Sequence, residues 1–271
     1  MFGINSDLSM MKNILIPISF SEASNSALVQ AKLIAAHYHS TLTLVHCYSN
    51  KEYNRPYDFK GETYTDGIRR MLSEFYQKTI DSKTNLKSKF VTYEGSLADY
   101  VESGSHQYDM IILVRKGGAN NKGSSMLTHK MLQLTSKSKC PILVGLLGGS
   151  HFKMPDIRTI WHIKRRDGES ELIKKAMSSY GLSESQIVER SLDQKTFKSK
   201  FWKKIVALRK NSISTSIHEI AQLFAEEKID LLVLVYYNTG LFEHFIDDKA
   251  VKTLSHLDVP LLIFNNKAFT R

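Results

Sequence analysis

The sequence predicts an α/β protein of two tandem domains, each an open parallel sheet with helices on both faces, the second domain shortened. Three observations predict it. Short β-branched apolar runs alternate with longer segments of helical periodicity, the pattern of strands covered on both faces and joined by right-handed crossover helices. The pattern restarts halfway: DMIILV at 109–114 returns as DLLVLV at 230–235, and PILVGLL at 141–147 as PLLIF at 260–264, at nearly equal spacing. A chain of 271 residues also suits two domains of about 100–150 residues each.

The elements follow in order. NILIPI at 13–18 is a continuous apolar run and predicts a central strand; after Ser21 and Glu22, residues 23–39 place Ala27, Leu28, Ala31, Leu33, Ile34 and Ala35 at near-helical spacing. TLTLVHC at 41–47 is the second strand, and the Tyr-, Asp-, Lys- and Gly-rich stretch 50–65 reads as a surface loop. A helix over 67–81 gathers Ile68, Met71, Leu72, Phe75, Tyr76 and Ile80 on one face. A short third strand occupies 89–93, Ser96 caps a helix running to about His106, and 109–114 is the fourth, buried strand. A Gly-, Asn- and Ser-rich loop leads to a fourth helix at 126–136 and a fifth strand at 141–147.

Gly148, Gly149, Ser150 and Pro155 crowd into a stretch of little apolar content, which sets the domains at 1–148 and 149–271. IRTIWHI at 157–163 restarts the first strand. The interval from Ile14 to Asp109 is longer than that from Ile160 to Asp230, so the second copy has lost part of its early helices and loops. Segments 171–179, 186–192 and 205–208 are its remaining candidate elements.

Composition narrows the function. An apolar fraction of 42% with 24% charged residues describes a folded globular chain rather than a disordered one. No apolar stretch reaches the length of about 18–20 residues that spans a bilayer, and 1–11 lacks the order of a secretion signal, so the expected location is cytoplasmic. Cys47 and Cys140 have no metal-ligand spacing and form no disulfide framework; Cys140, before Pro141 in an apolar run, reads as a buried structural thiol. The ten histidines pair with no Cys, Asp or Glu at a ligand spacing, and there is no nucleophile elbow, so neither a metal site nor an enzyme is expected. A net charge of +10 invites nucleic-acid binding, but the basic runs 164–166 and 195–210 come with no recognition motif and read as solvated surface.

ILIPISFSE at 14–22 and the stretch from DMIILV to KCPILV at 109–144 resemble the universal stress protein family, and the whole chain is similar to its tandem form. The resemblance implies a five-stranded sheet of order 3-2-1-4-5 in each copy, and separate sheets whose fifth strands, 141–146 and 260–264, meet as an internal pseudo-dimer. Apolar edge strands need such cover. A homodimer is a further expectation.

Nucleotide-binding members of that family carry an acidic residue just after the first strand. After the fourth they carry a loop of Gly, two residues, Gly, nine residues, Gly, then Ser or Thr. Glycines admit phosphates to backbone N–H groups in the crevice where strand order reverses, and the following helix N-terminus favours negative charge. Here Ser19 stands at the acidic position, Arg115 at the first glycine, Gly118 at the second, Thr128 at the third and His129 at the Ser/Thr position. Arg115 has two readings: its guanidinium binds a phosphate bidentately, or it folds across the crevice and fills the phosphate's space. Gly117, Asn120, Asn121 and Gly123 supply turn chemistry around Gly118.

The second copy has no such loop. Gly240 is the one glycine after its fourth strand, and Tyr236, Tyr237, Phe242 and Phe245 read as packing between domains. The expectation is therefore a non-enzymatic stress-response protein with degenerate nucleotide motifs. ATP or AMP bound in the first crevice through Ser19, Arg115, Gly117, Gly118, Thr128 and His129 is the alternative, and nucleic-acid binding through the basic surface a third.

Overall fold

The computed structural model describes residues 11–49, 61–80, 85–115, 129–147, 153–164, 167–191, 228–236 and 259–266. The first half runs β1 (Asn13–Pro17), α1 (Glu22–Tyr38), β2 (Thr41–Tyr48), α2 (Tyr64–Thr79), β3 (Ser88–Glu94), α3 (Leu97–Gly104), β4 (Met110–Arg115), α4 (His129–Lys137) and β5 (Ile142–Leu146). The second contains β6 (Thr159–Lys164), α5 (Glu169–Ser179), β7 (Gln186–Ser191), β8 (Leu231–Tyr236) and β9 (Leu261–Asn265). Hydroxyls open three helices: Ser96, read as a cap from the sequence, accepts from the backbone N–H of Asp99 at the start of α3, and Ser21 and Thr63 do the same from Ser24 and Asp66 for α1 and α2, so that α2 begins at Tyr64 rather than at the expected 67. Residues 126–128 of the expected fourth helix, the segment 205–208, Leu192, and the aromatic residues Tyr237, Phe242 and Phe245 lie outside the described residues.

The strands of the first half are parallel in the order β3-β2-β1-β4-β5, as expected, and those of the second lie β9-β8-β6-β7. The expectation of two separate sheets is corrected. β5 and β9 pair antiparallel, with Ile142 opposite Ile263, Leu143 opposite Leu262 and Val144 opposite Leu261, and fuse the halves into one nine-stranded sheet. The physical reason is the one that named these strands as candidates: two apolar edges carry rows of backbone donors and acceptors, and direct hydrogen bonding satisfies both.

The two halves share one geometry: each starts its sheet with the same clamp. The Asp109 carboxylate precedes β4 and accepts from the backbone N–H groups of Lys12 and Asn13, each at 2.8 Å. Asp230 precedes β8 and does the same for Arg158 at 2.8 Å and Thr159 at 2.9 Å. Backbone bonds repeat alongside: Asp109 N donates to Asn13 O at 2.9 Å, and Asp230 N to Thr159 O at 3.0 Å.

Alternation along each strand makes two core layers. Ile14, Ile16, Leu143, Ile160 and Leu262 face the layer holding α1, α2 and α5; Leu15, Ile111, Val144, Trp161 and Ile263 face the layer holding α3 and α4. Each layer takes residues from both halves, so apolar burial, worth about 1.5–3 kcal/mol for each large aliphatic side chain, runs unbroken across the β5–β9 seam. Gln30 on α1 is fully buried and donates to Leu146 O at 2.8 Å, tying α1 to the end of β5. Gly145 makes room for it: a Cβ there would lie 1.7 Å from Gln30 Oε1.

Polar side chains cross the seam on both faces. Tyr38 at the end of α1 donates its hydroxyl to Tyr180 O, and burial pushes that phenol up to about 12. On the opposite face Asn265, almost fully buried, donates to Thr135 O at 2.8 Å and Ser136 O at 3.2 Å, two of the carbonyls that the last turn of α4 leaves without helical donors. Among the described residues no helix is long and apolar enough to cross a membrane.

Candidate functional site

Strand order reverses between β1 and β4, and a cavity of about 750 Å³ opens at their carboxyl ends, where an open α/β sheet places ligands. Its walls come from the β1–α1 turn (Ser19, Phe20, Ser21, Ser24), the end of β2 (His46, Cys47, Tyr48), Tyr64 of α2, Leu97 and Ala98 of α3, and Met131 and Leu134 of α4.

The turn is built by serines. Ser21 caps α1, Ser24 reaches back to accept from Ser19 N at 2.9 Å, and the Ser19 hydroxyl lies 3.0 Å from both the Ser21 and Ser24 hydroxyls. This network holds Phe20 at φ 55°, a left-handed conformation few side chains adopt. The Phe20 ring offsets that strain by packing 5.0 Å from His46 and edge-on to Phe75 at 5.7 Å. His46 Nδ1 lies 2.8 Å from Ile18 O; a carbonyl only accepts, so Nδ1 carries the proton and the tautomer is fixed. Tyr48 and Tyr64 stack at 5.0 Å, tilted by 59°.

Two charged groups act on the rim. The Asp99 carboxylate is held below its usual range first by the Ser96 hydroxyl and then by Lys137, which also bonds Glu102 at 2.5 Å and fastens α4 to α3. Burial, with Asp99 nearby, pushes the Cys47 thiol up to about 12. Cys47 is therefore protonated at neutral pH and a poor nucleophile. Alkylation by iodoacetamide at pH 8 is expected to run more than about a hundredfold slower than for a free cysteine; mass spectrometry showing Cys47 modified at the free rate would mean this wall is open and polar.

Of the residues singled out in the sequence, Ser19 lines the cavity and Arg115 does not. The described contact of Arg115 is with the other half. Its side chain is buried to 3% exposure and donates from Nη2 to Val259 O at 3.0 Å, just ahead of β9 in the other half. Arg115 ends β4 on the edge facing β5 and the seam, and Val259 offers a carbonyl there that a guanidinium satisfies. Gly117, Gly118 and Thr128 lie outside the described residues; His129 opens α4, and its side chain lies outside them too. Sequence reasoning missed the hydroxyl cluster, although Ser19, Ser21 and Ser24 stand together at a helix start. It missed the Tyr48–Tyr64 pair for lack of any local signal. Among the described residues no group of three or more His, Cys, Asp or Glu side chains could hold a metal ion.

The model of the universal stress protein family matches residues 10–144. Among solved structures, a functionally unknown protein from Pseudomonas aeruginosa PAO1 is similar at 16% identity and TM-score 0.56, covering 97% of this chain and 95% of that one. A universal stress protein from Archaeoglobus fulgidus DSM 4304 is similar at 13% identity and TM-score 0.57, over 93% and 96%. No curated protein sequence matches. At these identities the solved structures speak for the fold across both halves, while the family match rests on the first half's own sequence. By that match, the first half of the chain, over residues 10–144, belongs to the universal stress protein family.

Proposed function

We propose that the chain is a non-enzymatic, cytoplasmic stress-response protein whose first-half crevice has given up triphosphate binding while remaining open. The observation that carries this reading is Arg115. The residue at the first glycine position of the phosphate loop donates from Nη2 to Val259 O across the seam, so that donor is not offered to the crevice. Ser19, at the acidic position, offers a neutral hydroxyl in place of a carboxylate. Calorimetry with ATP and AMP on the full chain is expected to give no heat at millimolar ligand; saturable binding of ATP below about 0.1 mM, a free energy beyond about −5 kcal/mol, would sink the reading.

Adenine-nucleotide binding is the second reading, and the open cavity of about 750 Å³ favours it. Under either reading the β5 and β9 edges satisfy each other, so a homodimer would have to use another surface.

A further inference from the structure

The exposed charges of the first half that lie outside its ion pairs sort by rim. Its strands are parallel, so all five begin on one rim, and there Lys12 precedes β1, Lys87 precedes β3, Lys89 lies second in β3 and Lys139 precedes β5, all exposed. None of these four ammonium groups is in an ion pair with a described residue. The described acids on this rim are already engaged: Asp109 accepts from two backbone N–H groups, and Glu102 bonds Lys137. The connections entering β2, β4 and β5 are described in full; outside the described residues, 1–10 and 81–84 lead to β1 and β3 and add by sequence Asp7, and Asp81 with Lys83. Glu22 and Glu94, exposed and in no described ion pair, stand at the opposite rim, where the strands end.

Backbone bonds hold the row in place. Lys12 O accepts from Thr41 N at 2.7 Å, Lys87 O from Leu42 N at 2.9 Å, and Lys139 N donates to Ser105 Oγ at 2.9 Å. Lys87, Lys12 and Lys139 follow one another at two strand spacings, about 10 Å each and about 19 Å in all. That is a short straight row of cations at intervals of about three base pairs, suited to a stiff duplex that carries one negative charge per about 1.7 Å of axis. Among the described residues no Phe, Tyr or Trp is exposed, so the rim offers no platform for unstacked bases and no wedge for a membrane. We propose that this rim is a docking surface for the phosphate backbone of double-stranded nucleic acid, held without reading its sequence. It is independent of the crevice, which opens on the other rim. The ends of α1 to α4 lie along the lysine rim and attract cations by their dipoles; lysines serving that role alone would cost stability on substitution and leave binding intact.

Fluorescence anisotropy of the full chain with a labelled DNA duplex of about 20 base pairs is expected to show binding that weakens with salt at a log–log slope of about −3. Lys12→Gln, Lys87→Gln and Lys139→Gln together should flatten that slope by about 2–3 and weaken binding at low salt at least about tenfold, with thermal unfolding unchanged. A control of equal charge, Lys153→Gln, Lys175→Gln and Lys228→Gln, removes three exposed lysines from elsewhere and should lose less than about threefold. A parent slope shallower than about −1, or no binding at about 0.1 mM protein, overturns the proposal whatever the variants do. Equal losses in the rim and control variants would reduce the effect to net charge and remove the site. A single strand of the same length binding as tightly as the duplex, or vesicles of anionic lipid binding while the duplex does not, would take the rim away from duplex nucleic acid.

Discussion

Arg115→Ala is expected to lower the unfolding free energy by about 2–3 kcal/mol, the scale of a buried hydrogen bond from a charged donor, and to do so by loosening the junction between the halves. Alanine leaves Val259 O with its donor gone at a buried site and opens space where the guanidinium lay. The loss should be regional: hydrogen exchange at 261–263 and 142–144 is expected to speed up while β2 and β3 keep their protection. Arg115→Lys should recover only part of the stability, since an ammonium is a point charge on a different stem. Urea unfolding of the three proteins measures the first effect and exchange the second. Stability within about 0.5 kcal/mol of the parent for Arg115→Ala would remove the seam role and restore Arg115 as a candidate for the crevice.

Asp109→Ala and Asp230→Ala should each cost about 2–4 kcal/mol, and similar amounts, because each carboxylate accepts two charge-assisted bonds from the start of a neighbouring strand. The clamp joins segments distant in sequence, so its loss frees the entry of β1 or β6 without touching a core side chain. Asp109→Asn keeps an acceptor oxygen and should lose less than alanine. Chemical unfolding of the three variants and the parent compares the halves directly; a large cost in one half and none in the other would show that the repeated geometry is not a repeated energetic feature.

The clamps show what the sequence made legible and what it hid. DMIILV and DLLVLV are readable as buried strands from composition, and their likeness reveals the repeat. That each opens on an aspartate with a backbone duty becomes visible only when β1 and β4, or β6 and β8, lie side by side. The start of α3 was legible because a cap acts over three residues and Ser96 sits where its hydroxyl is needed, whereas Thr63 caps α2 from within a stretch whose composition reads as loop. The loop motif gave Arg115 its position but not its target, which is Val259, on the far side of a strand pairing that no local pattern encodes. Gln30 against Gly145 is hidden in the same way, for an isolated glycine in an apolar run reads as a weak strand position until a side chain from α1 is seen above it. Ser19 lines the crevice, yet its chemistry depends on Ser21 and Ser24, whose hydroxyls meet it only in the folded turn.

Because β5 and β9 run in opposite directions, the carboxyl ends of the two sets of strands point to opposite rims of the molecule. The open mouth beside Ser19 therefore shares its rim with the strand beginnings of the other half, where Val259 receives Arg115, and not with that half's own ligand end. Anything held there would lie about 17 Å along the strands, for five residues, and about 19 Å across four strand spacings, hence about 25 Å in all, from the counterpart position. One molecule cannot touch both positions at that separation unless it is long, so any message between them has to travel through the body of the sheet.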